Sequence, residues 1–125
     1  MIRKTTLLAA AFLLASGAVG LQAAAFHFAL ARSAPAADAT VATPGEVRLW
    51  FTEAPEGNTV GIRLINASGE AVATTAVEKA PDEAAVFFVR PSAPLRAGRY
   101  TVSWRGVGDD GHAVTGDFGF SVTSQ

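Results

Sequence analysis

Short apolar–polar alternations, broken every 8–12 residues by proline or glycine, constrain this chain more than any other feature. From Glu46 to Phe51, Val47, Leu49 and Phe51 face one way and Glu46, Arg48 and Trp50 the other. Thr59 to Ile65 puts Val60, Ile62 and Leu64 on one face, and Asn66-Ala67-Ser68-Gly69 reads as a turn before an extended stretch from Glu70 to Val77. Ala84 to Val89 is a continuous apolar run, the mark of a strand covered on both faces. Arg99 to Arg105 turns Tyr100, Val102 and Trp104 inward, and Gly116 to Val122 aligns Phe118, Phe120 and Val122. Gly106 to Gly111 reads as the loop between them. After Ser33 no window of helical length carries a 3.6-residue period. The expectation is all-β: an immunoglobulin-like Greek-key β-sandwich of about seven strands. Trp50, Tyr100, Trp104 and the phenylalanines are its natural core.

The first residues obey a different rule. Arg3 and Lys4 precede an uncharged, Leu- and Ala-rich run from Thr5 to Leu21, which ends near Ala23-Ala24-Ala25. A positive start, an apolar centre and small residues at the end describe a signal peptide over residues 1–25, removed on export. A cut after Phe26 instead would place a bulky residue where a small one is wanted. The run is short for a membrane-spanning helix and is weakened by Ser16, Gly17 and Gly20. The expectation is therefore an exported domain over residues 27–125 with no membrane span.

Composition narrows the chemistry. The 125 residues include no cysteine, which excludes disulfides, thiolate metal sites and cysteine nucleophiles. The formal charge of -1 becomes -3 once Arg3 and Lys4 are gone, and no basic block survives to bind nucleic acid. The serines sit in no nucleophile motif, and Gly106-Val107-Gly108 precedes no helix that could hold a phosphate. Glu53-Ala54-Pro55-Glu56-Gly57 reads as an exposed turn, and Arg32, Arg63, Arg90 and Arg105 as solvated strand faces.

The sequence has only two histidines, His27 and His112, and Asp110 lies two residues before the second. In an extended segment the side chains at 110 and 112 point the same way, and Gly111 between them allows a close backbone approach. Two imidazoles and a carboxylate suit Cu(II), which favours tetragonal N,O ligation. The same set can also be arranged tetrahedrally around Zn(II). A plain turn with a solvated histidine uses the same residues, and a metal-free immunoglobulin-like interaction module fits the strand pattern equally.

Four stretches resemble one family. His27-Phe28-Ala29-Leu30-Ala31-Arg32-Ser33-Ala34-Pro35-Ala36 is similar to its opening H-x-x-L-x-x-S-x-P-A, and Val47 to Glu53 to its V-x-L-x-F-x-E strand. Gly98 to Arg105 resembles G-x-Y-x-V-x-W-R, and Asp110 to Phe120 resembles D-G-H-x-x-x-G-x-F-x-F. Together, in order and over nearly the whole mature chain, they resemble the CopC family of periplasmic copper-resistance proteins. The resemblance implies a copper carrier or buffer rather than an enzyme, binding one Cu(II) per chain through His27, Asp110 and His112, with Glu53 near the site. It also implies work beside a CopD-like inner-membrane copper transport protein. The Met-rich segment through which some relatives bind Cu(I) has no counterpart here, where Met1 is the single methionine. Phe26 and Phe28 depart from the family, which has small residues at those places. A histidine-led copper site also resembles the brace of oxidative polysaccharide monooxygenases, but inward aromatics offer no flat substrate surface.

Overall fold

The computed structural model describes residues 27–124. The leader expected over residues 1–25, and its cut site, lie outside the described residues. Among the described residues there are nine strands and no helix: β1 (Leu30–Ala34), β2 (Thr40–Val41), β3 (Val47–Phe51), β4 (Gly61–Asn66), β5 (Ala71–Val72), β6 (Glu78–Lys79), β7 (Val86–Val89), β8 (Gly98–Val107) and β9 (Ala113–Val122). They form two sheets, ordered β1-β3-β7-β6 and β2-β9-β8-β4-β5. All pairs are antiparallel except β2 with β9. The expected all-β sandwich is what the chain adopts.

The inward residues are those the alternation marks. Val47, Leu49 and Phe51 from β3, and Phe87 and Val89 from β7, meet Ile62, Leu64, Tyr100, Val102, Trp104, Phe120 and Val122 from the other sheet. Each such side chain contributes roughly 1.5–3 kcal/mol on burial. The Tyr100 ring stacks on Phe120 with centroids 5.6 Å apart, and its hydroxyl donates to the Arg96 carbonyl at 2.7 Å, so that polar atom is satisfied. All four residues of β7 are buried, as its unbroken apolar run requires.

Several expectations need correction. β8 and β9 are longer than the alternation suggests, because their ladder continues without a break from Gly98↔Val122 to Val107↔Ala113. Gly106, expected in a loop, is thus a buried strand residue. The stretch from Glu70 to Val77 supplies only two strand residues and an isolated bridge, Thr74↔Pro91. Trp50 is not core. It lies on the outer face of the four-stranded sheet, with the Arg32 guanidinium carbon 4.0 Å from its ring centroid. Phe88 shares that face beneath Arg48 at 4.5 Å and Arg90 at 4.9 Å. Arg32 and Arg90 are therefore aromatic covers rather than freely solvated charges. Each such contact is worth about 0.5–1 kcal/mol at an exposed site.

In the opposite sheet Trp104 lies flat against the bare backbone of Gly116, its cross-strand partner. A Cβ at Gly116 would come within 2.5 Å of Trp104 Cζ2. Gly116→Ala therefore forces the indole out of its place, at a cost of about 1–3 kcal/mol. Thermal unfolding should show a midpoint lowered by at least about 4 °C, with a changed tryptophan emission. An unaltered midpoint and spectrum would show that the indole does not rest on that backbone.

Candidate metal centre

The β8–β9 hairpin ends in a tight loop, Gly108-Asp109-Asp110-Gly111. The Gly111 N–H donates to the Gly108 carbonyl at 3.0 Å, and the Gly108 N–H to the His112 carbonyl at 3.1 Å. Gly111 has φ +81°, a left-handed conformation that glycine adopts without a steric penalty. This is a hairpin turn closed by a glycine before pairing resumes at Val107↔Ala113.

Within the turn, Asp110 Oδ1 accepts the backbone N–H of His112 at 3.0 Å. That bond folds the carboxylate over the loop. Its other oxygen, Oδ2, then sits 3.1 Å from His112 Nδ1. The expected proximity of residues 110 and 112 is therefore observed, but its cause is not an extended strand. The left-handed glycine and the side-chain-to-backbone bond bring the two groups together.

His27 reaches the same carboxylate from the other sheet, with Nδ1 3.3 Å from Asp110 Oδ2. It stands three residues ahead of β1, on a segment tied to the end of β3. The Ala29 N–H donates to Thr52 Oγ1 at 2.9 Å, and the Thr52 N–H to the Ala29 carbonyl at 2.8 Å. The two imidazole rings lie 5.3 Å apart between centroids, at 65°. One ligand atom from each of His27, Asp110 and His112 falls within 4.8 Å of the others. Metal–nitrogen bonds near 2.0–2.1 Å need donors about 3–4 Å apart, so a small ring rotation completes the fit. All three residues are exposed, so both the rotation and the entry of an ion are unobstructed.

The backbone N–H of His112 holds the Asp110 carboxyl below its ordinary value of 3.8; slight desolvation opposes this, and the two histidines reinforce it. The group is an anion throughout the neutral range. Glu53 lies on the wall of the adjoining cavity of about 180 Å³, with His27, Phe28, Asp109 and Asp110. No hydrogen bond or ion pair joins it to the three converging residues. Glu53 is thus near the site, as the resemblance implies, but outside the donor cluster. Sequence reasoning missed Thr52, which orients Ala29, and marked Phe28 only as a departure from the family, not as a buried ring against Gly106 and Gly108. The only available signal was a large aromatic beside His27.

The chemistry on offer is two imidazole nitrogens and one carboxylate oxygen, solvent-open and without sulfur. Such a set suits a divalent ion of the copper or zinc type.

Comparison with known proteins agrees with this geometry. The CopC domain family model matches residues 30–123. Copper resistance protein C of Escherichia coli is 33% identical over 102 residues, covering 77% of this chain and 81% of that protein. Copper resistance protein C of Pseudomonas syringae pv. tomato is 30% identical over 115 residues, covering 88% and 91%. The crystal structure of PcoC, a methionine-rich copper resistance protein from Escherichia coli, superposes with a TM-score of 0.72 at 33% identity, over 78% of this chain and 100% of that one. This chain, with a single methionine outside the described residues, does not share that richness. The extent of these matches, and the sandwich they share, make the chain a member of the CopC family.

Proposed function

We propose that the chain is a periplasmic Cu(II)-binding protein, holding one ion through His27, Asp110 and His112 and acting in copper homeostasis as a carrier or buffer without turnover. The observation that supports this most is the meeting of three donors from two different sheets at one exposed point. Membership in a family whose relatives carry copper resistance in their names adds the choice of metal. Export follows from the positive, apolar and small-residue order of residues 1–25. A carrier needs a recipient, and a CopD-like inner-membrane copper transport protein fits that role.

The donor set explains why Cu(II) is favoured. Copper stands at the top of the divalent affinity order for N,O sites, and the site lacks the sulfur that Cu(I) prefers. The anionic Asp110 adds charge attraction without needing to lose a proton at neutral pH. The imidazoles must be neutral to bind, so protons compete with the ion for them.

Calorimetric titration with Cu(II) should give a stoichiometry of one, and His112→Ala should abolish the uptake. Intact mass spectrometry of the exported protein reports both the cut site and the bound ion. Absence of uptake by the correctly processed chain would rule the proposal out and leave a metal-free interaction module.

Asp110→Asn separates the two tasks of that side chain. The amide oxygen can still accept the His112 N–H, so the turn should persist while the charge is lost. Unchanged circular dichroism with Cu(II) affinity reduced by about tenfold or more is the expected result.

Acid should release the ion in the imidazole range. Affinity is expected to fall as the pH is lowered, because protons compete with the ion for both rings. The depressed pKa of Asp110 keeps its carboxylate ionised there, and its own stabilising contacts fade only below 3.8. An affinity that stays constant as the pH is lowered from neutral through the imidazole range would show that the histidines are not ligands.

A further inference from the structure

Phe28 is 4% exposed, although its neighbours His27 and Ala29 are both exposed. Its ring stands edge-on to Phe51 with centroids 5.5 Å apart, and tilted against Trp104 at 6.3 Å. It also covers the end of β8 that leads into the Asp110 loop. A Cβ at Gly106 would lie 3.0 Å from Phe28 Cζ and 3.2 Å from Pro55 Cβ. One at Gly108 would lie 3.5 Å from Phe28 Cδ1. At Gly106 the ring thus packs on backbone that a side chain would crowd, while at Gly108 it leaves room for ordinary contact.

This packing fixes the chain at position 28, and the paired Ala29–Thr52 bonds fix it at 29. His27 is left with little more than its own torsions to explore. Its imidazole then lies 3.3 Å from Asp110 and ring-to-ring with His112.

We infer that Phe28 is the positioning residue of the site: its buried ring pins the first segment to the Gly106–Gly108 backbone and sets His27 against Asp110 and His112 before an ion arrives. The affinity consequence rests on the copper-binding proposal; the geometric one does not. A ring that merely filled the core would alter stability alone. A ring that positions His27 must alter the relation of the two imidazoles as well.

The test uses the correctly processed chain, metal-free and then with Cu(II), in wild type, Phe28→Ala and Gly106→Ala. Nuclear Overhauser contacts between the His27 and His112 rings read the geometry without metal. The wild type should show them. Phe28→Ala should lose them while keeping the far-ultraviolet circular dichroism of a β-sandwich, and its Cu(II) affinity should fall about tenfold. Gly106→Ala should do the same from the other side, by displacing the ring without touching a ligand. Should Phe28→Ala fail to fold, Gly106→Ala decides alone. Ring contacts that persist in the folded variants, with only a lower melting temperature, would overturn the inference. A wild type that shows the ring contacts but takes up no Cu(II) would refute the copper proposal and leave the role of Phe28 standing.

Discussion

One carboxylate joins the two halves of this structure. Asp110 uses its first oxygen to close the turn between β8 and β9 and its second to face imidazoles from both sheets. Local and distant geometry are thus settled by the same group. The turn can form alone, since it needs only Gly111 and a short side chain. His27 can approach only after the sheets have packed, because its segment belongs to the opposite sheet. The donor cluster is therefore a product of the folded sandwich and not of any local motif.

The sandwich provides for this in two ways. Its interior packs Phe51, Trp104 and Phe28 together directly beneath the site. Its outer faces are kept from sticking by charge. On the four-stranded sheet, three arginines cover Trp50 and Phe88 and leave polar groups outward. Two of these arginines are also paired, Arg48 with Glu46 at 2.8 Å and Arg90 with Glu78 at 3.0 Å. Such pairs add little stability at exposed positions, but they hold the planar groups over the rings.

Much of the fold was legible because strand alternation is a local signal. β3, β7, β8 and β9 declare themselves by the residues they bury. β1 and β2 do not. β1 is an edge strand with a bulge between Leu30 and Arg32, so its sequence shows no clean period. β2 has two residues and exists because β9, from the far end of the chain, runs beside it. Trp50 was misjudged for a related reason: its size argued for the core, while its position on the polar side of β3 placed it under Arg32. The alternation was the better guide.

The donor residues were legible because they are scarce: two histidines, and one aspartate at close spacing to the second. What brings them together was not. A turn bond from Asp110 and a buried phenylalanine leave no periodic mark. The most direct measurement of the central claim is pulsed electron paramagnetic resonance of the Cu(II)-loaded protein, which counts imidazoles on the ion. Two coupled imidazoles in the wild type, and no protein-bound Cu(II) signal in His112→Ala, is the predicted result. A spectrum with one imidazole or none, unchanged by that substitution, would contradict the account.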